Sequence, residues 1–192
     1  MLICVYAAAS NDIDKQYIEL SRSLGENLAS SGHSLIYGGG GSGLMGAVAQ
    51  GFYNKNGEII GVVPKFMHNI EPIFTNCTSI ITTQTMAERK EVMENKADAF
   101  IIIPGGIGTF DEFFQCITLK ELGRHNKPII VYNQNNYYGE LLLFINHCIE
   151  KGFIKKQANT YFYTANTIEE IINYPPLKKW WACNYHTIAF QP

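Results

Sequence analysis

The 192-residue sequence has no excess of either charge: 15 Lys and Arg stand against 17 Asp and Glu, leaving a formal charge of −2. Nothing basic enough for general nucleic-acid binding stands out in a chain so balanced. Lys155-Lys156 and Lys178-Lys179 are pairs, not patches. Long apolar runs are missing too, and none approaches the roughly 20 residues needed to cross a bilayer. The opening Met1-Leu2-Ile3-Cys4-Val5-Tyr6 is too short, and lacks the basic flank, for a secretion signal. It reads as a first buried strand. Five cysteines (Cys4, Cys77, Cys116, Cys148, Cys183) are odd in number and scattered. They suggest neither a disulfide framework nor zinc-ligand spacing, and reduced thiols in a cytoplasm are expected. His33, His68, His125, His147 and His186 form no pair at metal spacing. No metal or cofactor is expected. Internal repeats and low-complexity segments are absent, and no domain boundary is visible before about Pro175.

What the chain does have is 46% apolar residues, 17 glycines and a regular alternation of segments. Leu2–Tyr6, Ser34–Tyr37, Ile59–Val63, Ser79–Thr82, Ala97–Ile103, Pro128–Tyr132 and Tyr161–Tyr163 read as strands. Ile13–Ser30, Gly43–Asn54, Thr85–Lys96, Thr109–Gly123, Tyr138–Lys151 and Thr167–Tyr174 read as helices. In the first of these, Ile13, Tyr17, Leu20, Leu24 and Leu28 recur at three- and four-residue spacing. In the last, Thr167 with Glu170 three residues on forms a capping box. Pro64 to Cys77 reads as a loop. Strands alternating with helices imply right-handed crossovers and a parallel sheet covered on both faces. The expectation is an α/β fold: a Rossmann-like, doubly wound parallel sheet with helices on both faces. Residues 1–176 form its single domain, and 177–192, with Trp180 and Trp181, form an aromatic tail.

Two glycine-rich turns join a strand to a helix. Pro104-Gly105-Gly106-Ile107-Gly108-Thr109 follows an apolar strand and opens a helix carrying Glu112. The start of a helix offers unpaired N–H groups and a positive dipole end, which suit a phosphate. A carboxylate beside a phosphate is repelled by it, so Glu112 points to chemistry on the phosphate-bearing molecule. Gly38-Gly39-Gly40-Gly41-Ser42-Gly43 repeats the design after Ser34–Tyr37. It partly matches the dinucleotide fingerprint but lacks the acidic residue at the end of the next strand. In such folds both turns can face one crevice at the strands' carboxyl ends.

Around that crevice Arg89 stands out, because guanidinium pairs with phosphate or carboxylate in planar, two-pronged contacts. Periodicity alone places it on a solvated charged face with Glu88, Lys90 and Glu91, and the glycine turns favour the crevice instead. Ser10 and Asn11 follow the first strand, where a side chain reaches the crevice, although Asn11 or Asp12 could simply cap the next helix. Thr109 could cap its own helix, bind phosphate, or do both. Lysine-based pyridoxal phosphate chemistry draws no support, since no lysine stands in the glycine turns.

These segments resemble a known family. Pro104–Glu112 matches the motif PGGxGTxxE, Met86-Ala87-Glu88-Arg89-Lys90 is similar to its companion segment, and Tyr37–Gly46 resembles the turn YGGGxxGLMG. Together they resemble the LOG ("Lonely Guy") family of cytokinin-activating phosphoribohydrolases, long labelled "possible lysine decarboxylase". The resemblance runs from Met1 to about Tyr174. It implies a Rossmann-like fold, a homodimer or higher even oligomer, and hydrolysis of the N-glycosidic bond of a nucleoside 5′-monophosphate (AMP or a cytokinin riboside monophosphate). It also implies Arg89 and Glu112 as the catalytic pair. Gly105, Gly106, Gly108 and Thr109 would hold the 5′-phosphate, with Gly38, Gly39, Gly40, Ser10, Met86 and Lys90 at the nucleotide. The chain departs from the family at Ala7-Ala8-Ala9-Ser10, where Cys-Gly-Ser-Ser is usual, and at Thr118–Gly123, where Thr-Trp-x-Gln-Leu-Gly is common. Alternatives are a non-catalytic nucleotide sensor and, less favoured, a lysine decarboxylase. The helix carrying Phe110, Phe113, Phe114, Ile117 and Leu122 spreads these over more than one stripe, which itself points to a partner helix.

Overall fold

The computed structural model describes residues 1–178. The aromatic tail with Trp180 and Trp181, and with it Cys183 and His186, lies outside the described residues. Among the described residues seven strands form one sheet: β1 (Leu2–Tyr6), β2 (Ser34–Tyr37), β3 (Ile59–Pro64), β4 (Ser79–Thr83), β5 (Ala99–Ile102), β6 (Ile129–Tyr132) and β7 (Tyr163–Ala165). The helices between them are α1 (Lys15–Ser30), α2 (Gly43–Asn54), α3 (Met86–Lys96), α4 (Ile107–Glu121), α5 (Gly139–Glu150) and α6 (Ile168–Asn173). The order across the sheet is β4-β3-β2-β1-β5-β6-β7, and every pairing is parallel. This is the expected doubly wound fold.

Alternation along the strands divides the core into two. Ile3, Val5, Leu35, Tyr37, Ile101 and Ile130 point to the face covered by α1, α2 and α6. Cys4, Tyr6, Ile36, Phe100, Ile102 and Val131 point to the face covered by α3, α4 and α5. Both faces are dry, which is why the strands are apolar at consecutive positions. Each fully buried Ile or Phe contributes about 1.5–3 kcal/mol.

Several boundaries differ from the expected ones, each for a local reason. Helix α1 starts at Lys15, not Ile13, because Asp14 caps it by accepting from the Gln16 amide at 2.8 Å. Asn11 is recruited elsewhere: its Oδ1 accepts from the Gly43 amide at 3.1 Å. Helix α4 starts two residues early, with Gly106 as its N-cap, so Thr109 lies in the first turn and caps nothing. Strand β5 is shorter than expected because Ala97 ends α3 and the Asp98 carboxylate accepts from the Leu2 amide at 2.7 Å. The stretch read as a loop contains a 3₁₀ turn, Lys65–Asn69, and a β-bridge from Ile73 to Gly40. The capping box of α6 is present, with Thr167 Oγ1 accepting from the Glu170 amide. Among the described residues no helix is long and apolar enough to cross a membrane.

Candidate active site

The chain builds β1, β2, β3 and β4 outward in one direction, then returns through α3 to lay β5 on the other side of β1. The β1 and β5 loops therefore diverge, and a crevice opens at their carboxyl ends. A cavity of about 380 Å³ occupies it, bordered by the loop after β1 and the starts of α2, α3 and α4.

Two helix starts meet here, and they differ. The start of α2 is closed. Its Gly43 amide donates to Asn11 Oδ1, and its Leu44 and Met45 amides both donate to the Ala8 carbonyl at 3.0 and 3.2 Å. The β1 loop lies directly on Gly43, which has φ +58°. A Cβ there would stand 2.5 Å from the Ser10 carbonyl oxygen, so only glycine fits. The start of α4 is open. The Phe110 amide donates to the Gly106 carbonyl, but the amides of Ile107, Gly108 and Thr109 have no partner among the described residues. Gly106, Gly108 and Thr109 border the cavity. An anion at this point gains unpaired donors and the dipole together.

Arg89 is not on a solvated face: it is 8% exposed. Thr85 caps α3 from behind, and the Glu88 carboxylate turns back to accept from the Gln84 amide at 2.7 Å. That arrangement directs Arg89 inward. Its Nε donates to the Val62 carbonyl at 3.2 Å and its Nη2 to the Gly38 carbonyl at 3.3 Å, with Nη1 3.8 Å from Met86 Sδ. The guanidinium occupies the space above Gly38, where a Cβ would lie 1.7 Å from Nη2. Lys90, next along α3, forms an ion pair with Asp111 of α4 at 2.8 Å, across the rim of the cavity.

Glu112 faces the same cavity from α4. No hydrogen bond or ion pair holds its carboxylate among the described residues, and it does not pair directly with Arg89. Burial pushes its carboxyl up to about 7; the charge of Arg89 opposes that rise, while Asp111 and Glu94 add to it. Such a group changes protonation near neutrality, as an acid–base catalyst needs. Beneath it lies a buried layer of Tyr6, Cys4 and Cys116, where desolvation pushes both thiols and the phenol well up and leaves them inert.

The glycine turn before α4 is braced from the loop after β6. Tyr137 donates its hydroxyl to the Gly105 carbonyl at 2.9 Å, and Tyr138 donates to the Ile103 carbonyl at 2.8 Å. Asn133 Oδ1 accepts from the Tyr138 amide at 2.8 Å and fixes that loop. Because a trans peptide points its C=O and N–H opposite ways, holding the Gly105 carbonyl turns the Gly106 amide away from Tyr137.

The structure thus brings Ser10, Met86, Arg89, Lys90, Gly106, Gly108, Thr109 and Glu112 around one cavity. Gly105 faces a neighbouring cavity of about 300 Å³ that shares Ser10 and Gly106 with the first. Gly38, Gly39 and Gly40 border a recess of about 10 Å³ beside Arg89 and Glu71. Their tract serves close packing, and it leaves no open helix start for a phosphate. Sequence reasoning missed Met45, Met67 and Glu71 on the cavity wall, and Tyr137 and Tyr138 behind the turn. The Tyr-Tyr pair before α5 was the one available signal; Glu71 sits in a loop with no periodicity to reveal it. Among the described residues no group of three or more His, Cys, Asp or Glu could hold a metal ion.

Fold and crevice together define a Rossmann-like protein with an open helix start at its topological switch point. Comparison with known proteins narrows this. The chain belongs to the LOG family: the family model described as "Possible lysine decarboxylase" matches residues 45–174. A probable cytokinin riboside 5′-monophosphate phosphoribohydrolase of Oryza sativa subsp. japonica is 36% identical over 170 residues, covering 88% of this chain and 81% of the relative. A cytokinin riboside 5′-monophosphate phosphoribohydrolase of Arabidopsis thaliana is also 36% identical, with 88% and 79% covered. Among solved structures, the molybdenum cofactor carrier protein of Chlamydomonas reinhardtii superposes with a TM-score of 0.70 at 18% identity, over 94% of this chain and 98% of that one. The molybdenum cofactor binding protein of Rippkaea orientalis gives 0.69 at 22%, over 94% and 96%. At those identities the likeness is one of fold.

Proposed function

We propose that this protein is a phosphoribohydrolase that cleaves the N-glycosidic bond of a nucleoside 5′-monophosphate, of AMP or cytokinin riboside monophosphate type. The carrying observation is the open start of α4 with Glu112 one turn along it and Arg89 across the same cavity. The relatives named as phosphoribohydrolases support the same reaction. The 5′-phosphate is received by the amides of Ile107, Gly108 and Thr109, with Gly105 and Gly106 shaping the turn and Ser10 beside it. Met86 and Lys90 border the nucleotide, and Gly38, Gly39 and Gly40 act one layer back by seating Arg89.

The C1′–N bond breaks with its electron pair leaving on the base, and positive charge builds on the ribose as in other glycoside cleavages. Ionised Glu112 stabilises that charge and takes a proton from the attacking water, whose oxygen joins C1′. Arg89, held by two carbonyls and always charged, faces the departing base and stabilises its electron pair. The proton that Glu112 took from water passes to the base through solvent, Glu112 is ionised again, and the products are free base and ribose 5-phosphate. No cofactor enters this scheme.

Residues 1–176 make up the hydrolase domain. The unpaired thiols Cys4, Cys77, Cys116 and Cys148 support a cytoplasmic location. The chain pairs with a second copy through α4 and α5.

Chromatography of free base released from a panel of nucleoside monophosphates and their parent nucleosides tests the reaction. Monophosphates should turn over far better than nucleosides, because phosphate binding also positions the ribose. Equal turnover of adenosine and AMP would refute the phosphate assignment. Binding of AMP without release of adenine would favour the sensor.

A further inference from the structure

We propose that Glu71 determines which base this enzyme accepts: it reads the exocyclic amino group of the base and rejects bases with a carbonyl there. The proposal rests on the phosphoribohydrolase reading for the pose of the nucleotide. Glu71 borders both the 380 Å³ cavity and the recess beside Arg89. Its carboxylate makes no hydrogen bond or ion pair among the described residues, and Lys90 on the same cavity wall is taken by Asp111. The residue is not on a loose loop. The Glu71 amide donates to the Met67 carbonyl at 3.2 Å, the Gly41 amide to the Pro72 carbonyl at 2.7 Å, and the Phe74 amide to the Gly39 carbonyl at 3.0 Å. The loop is therefore fastened to the first glycine turn directly after Glu71, and Glu71 itself closes a turn onto Met67. Its Oε2 lies 3.8 Å from where a Cβ on Gly40 would stand.

Position fits the length of the ligand. The phosphate site is at the end of β5, and the Glu71 carboxylate lies beside Gly40 in the turn after β2. From β5 the order runs through β1 to β2, two strand spacings, or about 10 Å. A nucleoside monophosphate laid along the crevice, phosphate at α4 and ribose between Glu112 and Arg89, puts its base against Met45, Met67 and Met86. Three thioethers make an adaptable apolar wall for a flat ring. The carboxylate stands at the far end. Ionised, it accepts hydrogen bonds and donates none. Adenine and cytosine present an amino donor at the corresponding ring position, whereas hypoxanthine and uracil present a carbonyl acceptor. The amino base gains a charge-assisted hydrogen bond; the oxo base meets an oxygen with an oxygen.

The test uses the full chain, wild type and Glu71→Gln, with two matched substrate pairs: AMP against IMP, and CMP against UMP. Base release gives kcat/KM, and calorimetry gives Kd for the same nucleotides. Wild type should favour the amino member of each pair by on the order of tenfold or more, the worth of one hydrogen bond to a charged group. Glu71→Gln should bring both ratios toward one, because an amide can also donate to the carbonyl. Thermal melting checks the fold. A wild-type ratio near one, or a ratio unchanged in Glu71→Gln, overturns the proposal, and the wild-type ratio decides alone if the variant fails to fold. Release of no base from any nucleotide defeats the hydrolase reading instead, and the Kd ratios then still decide the role of Glu71.

Discussion

At the scale of the residue, the site turns on a carboxyl whose proton is held more tightly than usual. Glu112 should be essential: Glu112→Gln and Arg89→Ala should each lower turnover about a hundred- to thousand-fold, the typical worth of about 3–4 kcal/mol for a lost electrostatic contact in the transition state. Near-full turnover in Glu112→Gln would make the carboxylate structural. Because the ionised form is the working one, kcat should rise with pH through a single ionisation at about 7 or slightly above, since a bound phosphate adds to the existing rise. A rate that instead falls above that point would assign Glu112 as the acid. The same group carries a stability signature. Its folded pKa, about 7, lies above the unfolded one. Its contribution to stability is therefore full below the unfolded value and is lost as pH rises through about 7. Glu112→Gln should raise Tm at alkaline pH and change it little at about pH 4. Gly38 belongs at this scale too. Gly38→Ala places a methyl group where the Arg89 guanidinium lies, so it should reduce turnover about as far as Arg89→Ala, with the double variant no lower. A fully active Gly38→Ala would show that the seat is dispensable.

At the scale of the element, two strand–glycine–helix units look alike in sequence and are used differently. The α2 unit spends its amides on the β1 loop, whereas the α4 unit keeps three amides without a partner among the described residues. What keeps the α4 turn in that shape comes from a third element, the loop before α5, through Tyr137 and Tyr138. Removing the Tyr137 hydroxyl frees the Gly105–Gly106 peptide to rotate. Tyr137→Phe should raise KM for a nucleoside monophosphate about fivefold, in line with one hydrogen bond of about 1 kcal/mol. It should leave turnover of the parent nucleoside unchanged. Equal effects on both substrates would place Tyr137 in general packing. These uses were not legible beforehand, because hydrogen-bond partners distant in sequence decided them: Ala8 and Asn11 for α2, Tyr137 for α4. The glycines and the strand ends were legible, since each follows from local chemistry, whereas Arg89 and Glu112 were brought together only by the family resemblance.

At the scale of the whole molecule, α4 and α5 leave an apolar surface in one chain. On α4, Phe113 is buried while Phe114 and Leu122 are exposed. Leu143 and Phe144 of α5 are each 63% exposed, and Phe153 follows at 87%. Large apolar side chains left exposed on two helices suit the pairing proposed above. A second copy related by a two-fold axis would present the same helices in return. Light scattering over a dilution series should give a mass of twice 21.6 kDa or a higher even multiple. A mass of 21.6 kDa at micromolar concentration would refute the pairing. Leu143→Ser with Phe144→Ser should yield monomers with little loss of monomer stability, because neither side chain is buried within the chain.

The sequence by itself determined the alternation of strands and helices, the parallel sheet with two covered faces, the two glycine turns and the family to which they belong. These depend on periodicity and on motifs contained within a few consecutive residues. Tertiary structure decided which helix start stays open to an anion, that Arg89 is buried over Gly38 instead of facing water, and that Glu71 and the methionines wall the crevice. Those outcomes follow from strand order: the chain returns from β4 through α3 to place β5 against β1. Residues separated by tens of positions then meet at one end of the sheet, and no local pattern records such a meeting.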